Sequence, residues 1–116
     1  MASAFIRYEG NTPKNRIMEF LVTFAVEDDY SMMDIANHSK VSYAALKIIW
    51  KEFIKEKRVK FTRNVGKAKM YKLNAQNPII KKFIEYYWKI IEEESEEKTK
   101  LDYSAQAVGV ASAQRF

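Results

Sequence analysis

Cysteine is absent from this chain of 116 residues, which excludes disulfide bonds and thiolate metal sites. There is one histidine, His38, and a single imidazole supplies neither a metal centre nor a nucleophile–base pair. The three glycines stand apart at positions 10, 66 and 109, so no glycine-rich loop is available to cradle a phosphate. The sequence therefore predicts a protein that is not an enzyme and that needs no metal or other cofactor.

Long apolar runs are also missing. No stretch approaches the roughly 20 apolar residues of a membrane span. The first residues lack the apolar segment and cleavage site of a signal peptide. The length suits one domain with a modest core. These features predict a cytoplasmic protein without a membrane partner, and no small-molecule ligand is indicated.

Charge is distributed unevenly along the chain. Residues 1–39 carry three Lys or Arg and six Asp or Glu, and residues 75–116 carry six and seven. Residues 40–72 carry eleven Lys or Arg against two Glu. Because one continuous third of the chain holds the excess positive charge, an anionic partner is expected.

Capping signals place two helices before this basic third. Thr12-Pro13 reads as an N-cap followed by proline at the first helical position, and the apolar period that follows continues to about Val26. Ser31 with Asp34 three residues later fits a capping box, which predicts a short helix to about His38. The core-facing residues expected in the two helices are Ile17, Phe20, Leu21, Phe24, Met32, Ile35 and Ala36.

The stretch from Ser42 to Arg58 predicts an amphipathic helix with an apolar and a basic face. The apolar face consists of Leu46, Ile49, Trp50, Phe53 and Ile54. The opposite face consists of Ala44, Lys47, Ile48, Lys51 and Lys55. A core-facing helix needs only the first set, so the lysines are turned towards water or towards a polyanion.

Alternating apolar and polar residues then replace the helical period. Residues 59–63 and 68–73 read as two strands, and the segment 64–67 contains Gly66, which allows a tight connection. A β-hairpin with a basic tip is therefore expected, with Arg63, Lys67 and Lys69 near that tip.

A last helix is predicted from Asn77-Pro78 to about Glu94. It has two adjoining apolar rows, and one domain needs only one of them for its own core. The surplus apolar surface predicts a homodimer through this helix (77–94), with interface residues Ile79, Phe83, Tyr86, Tyr87 and Ile90. Residues 1–11 are expected to be a flexible arm and residues 95–116 a disordered tail, which leaves 12–94 as the folded domain.

The order helix, helix, turn, helix, hairpin, helix resembles the winged helix-turn-helix family. The similarity is carried by Asp-Ile-Ala at 34–36, Val-Ser at 41–42, the basic helix that follows, and Tyr-Lys-Leu at 71–73. It covers roughly residues 12–91, and the closing helix is similar to that of small regulators from archaea and archaeal viruses. The fold class is thus expected to be mainly α with a small β-hairpin (α+β), a winged helix-turn-helix with an additional C-terminal helix. Two positions depart from the family: Lys57, where relatives often have glycine, and Ile48, where a polar residue is more usual.

The resemblance implies double-stranded DNA as the partner. Helix 42–57 would enter the major groove, and the wing 59–73 would reach the backbone or the minor groove. On this interpretation the protein is a homodimeric transcriptional regulator, associated with the nucleoid when bound. The residues assigned to DNA are Lys40, Ser42, Tyr43, Ala44, Lys47, Ile48, Lys51, Lys55, Arg63, Lys67 and Lys69.

Two other functions remain open at this point. A winged helix can act as a protein-interaction adaptor whose basic face meets an acidic partner. It can also coat or organise DNA without regard to sequence. Binding to random DNA with and without competitor separates these functions from regulation at a specific site.

Overall fold

The computed structural model describes the backbone of residues 3–111 and the side chains of residues 3–96. The described chain contains five helices and three strands. In chain order they are α1 (Ala4–Glu9), α2 (Pro13–Phe24), β1 (Tyr30–Ser31), α3 (Met32–Ser39), α4 (Tyr43–Lys55), β2 (Val59–Val65), β3 (Ala68–Leu73) and α5 (Pro78–Ala111). No helix in this part of the chain is long and apolar enough to cross a membrane.

Hydroxyl N-caps begin the three helices α2, α3 and α4. The side chains of Thr12, Ser31 and Ser42 each accept a hydrogen bond of 3.1 Å from a backbone N–H three residues later. Each cap satisfies one of the N–H groups that the first helical turn leaves without a partner. The predicted starts of these helices are confirmed.

The three strands form one antiparallel sheet in the order β1-β3-β2. Strand β1 pairs Tyr30 with Tyr71, and β2 pairs Val59 with Leu73 at the base of the hairpin. The hairpin is as predicted, although β2 extends two residues further than expected, to Val65. The mostly helical chain, the three-stranded sheet and the closing helix together confirm the predicted fold class.

The core lies where α2, α3 and α4 meet the sheet. Its fully buried side chains include Ile17, Leu21, Ile35, Leu46, Trp50, Phe53 and Leu73. Two residues predicted to be buried are exposed, Phe24 at 55 % and Ile54 at 48 %. Phe24 is the last residue of α2, with its ring 5.4 Å from that of Phe20, and Ile54 is the penultimate residue of α4.

The predicted flexible arm is instead an ordered helix. Residues 4–9 form α1, and Phe5 is only 2 % exposed. Its ring lies 5.7 Å from that of Phe83 and 5.3 Å from that of Tyr87, centroid to centroid. The expectation of a loose arm was wrong because this helix is stabilised by packing on α5, which its own short sequence does not reveal.

The last helix is longer than predicted. It continues past residue 94, its predicted end, to Ala111. The expectation of a disordered tail was therefore wrong for residues 95–111, while residues 112–116 lie outside the described chain. Glutamate, lysine, alanine and glutamine all favour helix, so the helix can continue beyond the apolar rows of residues 79–91.

Candidate nucleic-acid interface

The outer face of α4 is open to solvent as predicted. Leu46, Trp50 and Phe53 anchor the opposite face in the core, which fixes the rotation of the helix about its axis. Ala44, Lys47, Ile48, Lys51 and Lys55 are all exposed, and Ile48 is 72 % exposed. The lysines therefore form a continuous basic stripe on the molecular surface.

None of the stripe lysines 47, 51 and 55 forms an ion pair within residues 3–96. The same holds, over the same residues, for Lys67 and Lys69 on the hairpin. Ion pairs occur elsewhere on the surface, for example between Lys89 and Glu92 at 2.9 Å. We refer to Lys47, Lys51, Lys55, Lys67 and Lys69 as the five interface lysines, and their charges are available to an external anion.

The first turn of α4 carries the residues expected to contact base edges. Ser42 is the N-cap, and its hydroxyl oxygen accepts the Ala45 N–H while its proton stays available. The Tyr43 ring is partly exposed, and Lys47 Nζ lies 5.7 Å from its centroid, within the range of a cation–π contact. This contact holds an aromatic ring and a cation together at the start of the helix.

The hairpin tip lies beside this first turn. A groove of about 280 Å³ separates the tip from the starts of α3 and α4. It is lined by Ser31, Met32, Met33, Tyr43, Lys67, Ala68 and Lys69. The structure thus brings together Tyr43, Lys67 and Lys69 from distant parts of the sequence, and it adds Ser31 and Met33, which were not predicted to belong to the site.

Arg63 does not stand free at the tip. Its Nε donates to Asp29 Oδ2 at 2.9 Å and a terminal nitrogen donates to Asp29 Oδ1 at 3.2 Å. The hydrogen bonds from Arg63 and Thr62 lower the pKa of Asp29 to about 2 and, reciprocally, the carboxylate raises the pKa of Arg63. The structure therefore places this predicted DNA contact in an internal ion pair. Asp29 was missed because nothing in the run Glu27-Asp28-Asp29 distinguishes it from its neighbours.

Lys40 lies in the turn between α3 and α4, away from the groove at the hairpin tip. It lines a different groove, of about 600 Å³, between α2, the end of α3 and α5. Its backbone has φ +57°, and its carbonyl oxygen accepts a hydrogen bond of 3.3 Å from Arg16. The structure thus separates Lys40 from Lys67 and Lys69, with which the sequence analysis grouped it.

The five residues predicted for a dimer interface differ in their environments. Tyr87 is 5 % exposed, and its hydroxyl donates to Glu19 at 3.0 Å inside its own chain. Phe83 and Ile90 are partly buried against the core. Ile79 is 77 % exposed, and Tyr86 is exposed although its hydroxyl donates to Glu9, which raises its pKa to about 12. Because α1 packs on this side of α5, much less apolar surface remains free than the sequence suggested.

Comparison with known proteins identifies no family. No protein-family model and no curated protein matches the chain. Among solved structures, the chain is similar to the crystal structure of Sso10a-2, a DNA-binding protein from Sulfolobus solfataricus. The two share 16 % sequence identity with a TM-score of 0.48, and the match covers 76 % of this chain and 90 % of that chain. A similarity this distant does not support an assignment of activity. Any assignment rests on the surface residues of this chain.

Proposed function

We propose that this protein is a double-stranded DNA-binding transcriptional regulator that acts in the cytoplasm at the nucleoid. Helix α4 enters the major groove, and the hairpin β2–β3 contacts the backbone or the minor groove. The observation that carries the proposal is the set of five interface lysines, which face solvent on one helix and one hairpin tip without an ion-pair partner among residues 3–96. Such a surface suits the regular phosphates of a duplex.

The apolar residues beside the lysines support binding to bases as well as to phosphates. Ile48 is 72 % exposed in the middle of the stripe, on the same face of α4 as Ala44 and Lys47. Ala44, Tyr43 and Ile48 can contact the methyl group of thymine, and Lys47 can donate to guanine. Together with Ser42 they form the sequence-reading set, while Lys51 and Lys55 further along α4 contact phosphates.

Salt dependence is the first test. If the four lysines assigned to phosphates (Lys51, Lys55, Lys67 and Lys69) each neutralise one, the logarithm of the association constant falls with the logarithm of salt concentration with a slope of about −3.6. Fluorescence anisotropy with a labelled duplex at four salt concentrations measures that slope. A slope near zero would contradict the proposal.

Charge reversal on α4 is the second test. The double variant Lys47→Glu, Lys51→Glu should lose at least about 100-fold in affinity, because two contacts become repulsive. Lys81→Glu, Lys82→Glu on α5 is the matched control, since both lysines are exposed and the net charge changes equally. Equal losses in the two variants would show that only net charge matters.

Selection from a random DNA pool separates the competing functions. Enrichment of a defined motif supports regulation at a specific site. Binding without enrichment supports a protein that coats or organises DNA, and absence of binding supports the protein-interaction adaptor. If the regulator is a homodimer, the enriched motif should be palindromic, with half-sites about one helical turn apart.

A further inference from the structure

The hairpin strand β2 contains a β-bulge close to its middle. Phe61 lies opposite Tyr71, and Arg63 lies opposite Met70, so that Thr62 has no partner across the strand pair. A bulge bends the strand, increases its local twist and changes the direction of the side chains that follow. The bulge at Thr62 therefore determines where the hairpin tip lies relative to the rest of the domain.

Asp29 binds the bulge from outside the hairpin. It precedes β1, and its Oδ2 accepts hydrogen bonds from Thr62 Oγ1 at 2.5 Å and from Arg63 Nε at 2.9 Å. Oδ1 accepts a third hydrogen bond from Arg63, at 3.2 Å. Thr62 Oγ1 is also 3.2 Å from the carbonyl oxygen of Met70. One carboxylate thus ties both residues of the irregular segment to the loop before β1.

The carboxylate of this ion pair is better shielded from water than those of the other surface ion pairs, while the Arg63 side chain is 64 % exposed. The Asp29 side chain is 15 % exposed, while the paired carboxylates of Glu56, Glu85, Glu92, Glu93 and Glu94 are 44 % exposed or more. Hydrogen bonds to a charged acceptor that is partly shielded from water are stronger than exposed ones. The carboxylate is therefore suited to hold the hairpin in one position.

Held in this way, the hairpin tip lies where it completes the candidate interface. Beyond the bulge, Asn64 pairs with Lys69 and Val65 pairs with Ala68, so the two strands stay paired up to the tip. There Lys67 and Lys69 line the same groove as Tyr43. If the strand were free to change its bend at Thr62, these two lysines would no longer be held next to α4.

We propose that Asp29 is a positioning residue for DNA binding, which holds the bulge at Thr62 so that Lys67 and Lys69 lie beside the recognition helix. This inference rests on the proposed function and assigns a role to a residue that carries the same sign of charge as DNA. Arg63 acts with it inside the protein and is not a phosphate contact.

The direction in which DNA affinity changes when Asp29 is replaced distinguishes a positioning role from a purely electrostatic effect. Replacing Asp29 by asparagine removes a negative charge from the neighbourhood of the interface and releases Arg63. Both effects would strengthen binding to a polyanion if the hairpin stayed in place. Loss of positioning instead weakens binding, and it reduces the salt slope by up to about 1.8 because two lysines no longer contact phosphates reliably.

The experiment compares Asp29→Asn with Asp28→Asn, a neighbouring exposed residue that gives the same change in charge. We expect Asp29→Asn to bind duplex DNA about 5- to 20-fold more weakly with a shallower salt slope, and Asp28→Asn to bind at least as tightly as the parent. Thr62→Val, which removes one donor and keeps the Arg63 pair, should fall between them. Unchanged or tighter binding by folded Asp29→Asn, or by Thr62→Val if Asp29→Asn does not fold, would overturn the inference.

A second measurement monitors the hairpin without DNA. Because the chain has no cysteine, Glu52→Cys on α4 and Val65→Cys at the tip allow two spin labels to be placed uniquely. Pulsed electron paramagnetic resonance measures the distance between the two labels. The distribution of this distance should be narrow in the parent and in Asp28→Asn, and broader or displaced in Asp29→Asn. An identical distribution in all three overturns the positioning role. Should the parent fail to bind DNA, the proposed function is wrong, while this distance measurement still decides whether Asp29 holds the hairpin.

Discussion

Two lysines with a left-handed backbone end the helices of the helix-turn-helix. Lys40 and Lys57 both have φ +57°, a conformation that side chains disfavour by roughly 1–2 kcal/mol. At each, the residue after the lysine donates a long backbone hydrogen bond back into the helix: Val41 N–H to the Ala36 carbonyl at 3.0 Å, and Arg58 N–H to the Phe53 carbonyl at 2.9 Å. Lys57 thus adopts the left-handed conformation that glycine commonly supplies after the end of a helix, and α4 ends at Lys55.

Glycine at these two positions should stabilise the protein. Lys57→Gly relieves the left-handed strain but adds about 0.5–1 kcal/mol of chain entropy, so a net gain of about 0.5–1 kcal/mol is expected. The neighbouring substitution Lys55→Gly, in the last turn of α4, should instead cost up to about 1 kcal/mol. Urea unfolding followed by circular dichroism measures both, and a loss of stability in Lys57→Gly would contradict this account.

The Asp29 carboxylate should make stability depend on pH in the acid range. Its pKa is about 2 in the folded protein and near 3.8 without its partners. Because the folded pKa is the lower one, its contribution to stability is fully present above about pH 5 and is lost as the pH falls through 2. Asp29→Asn should therefore lower the urea midpoint at pH 7, and its difference from the parent should shrink between pH 4 and pH 2. A difference that stays constant over this range would contradict the assigned pKa.

Among the helices and strands, α1 has the largest effect on how much apolar surface remains exposed. It buries Ala4, Phe5 and Ile6 against the domain and covers part of α5. Asn15 Nδ2 donates to the carbonyl oxygens of Glu9 and Gly10, which fixes the connection to α2. Arg7 forms an ion pair with Glu94 on α5. A six-residue helix is not stable alone, so its order depends on these contacts.

Removing the Phe5 side chain tests how firmly α1 is attached. Phe5→Ala should cost about 3 kcal/mol, because the ring is buried against Phe83 and Tyr87. Tyr8→Ala on the same helix is the control and should cost less than about 1 kcal/mol, since Tyr8 is largely exposed. The free energy of unfolding from urea titration measures both. Equal small effects would contradict the packing of Phe5 against α5.

The differences between prediction and structure follow from the range of the interactions. Helix starts at Thr12, Ser31 and Ser42 could be predicted because a cap acts within three residues. The buried face of α4 could be predicted because helical geometry relates Leu46 to Trp50 and Phe53. By contrast, α1 depends on α5, about 80 residues away, and the binding of Arg63 by Asp29 spans 34 residues. Patterns of neighbouring residues do not reveal such contacts. The lysine stripe could therefore be predicted, but the role proposed for Asp29 in positioning the hairpin could not.

The shape of the whole molecule is set by α5. With 34 residues at 1.5 Å per residue this helix is about 51 Å long, and the longest extent of the protein is 65 Å. On one side of its first four turns lie the exposed apolar residues Ile79 and Tyr86, with Tyr86 next to Tyr8 of α1, whereas the exposed Trp88 lies on the opposite side. We propose that two copies associate through this side of α5, over a smaller apolar area than the five residues inferred from the sequence.

A dimer formed in this way should depend on Ile79. Sedimentation velocity at tens of micromolar should show a dimer for the parent chain and a monomer for Ile79→Glu, because the substitution places a charge in an apolar contact. Ile48→Glu is the matched control: it makes the same chemical change on the exposed face of α4 and should leave the dimer intact. A monomeric parent chain would refute the dimer without affecting the proposal for DNA.

Hydrogen bonds to backbone carbonyl groups, including those of Lys40 and Lys57, connect both ends of α4 to neighbouring elements. Arg16 of α2 donates to the carbonyl oxygens of Ser39 and Lys40, just before α4 begins, and Asn74 and Asn77 donate to that of Lys57, just after it ends. Both ends of the helix are thereby fastened to neighbouring elements. The backbone of α4 thus loses little freedom on meeting a ligand, and the entropy lost on binding falls mainly on the long lysine side chains.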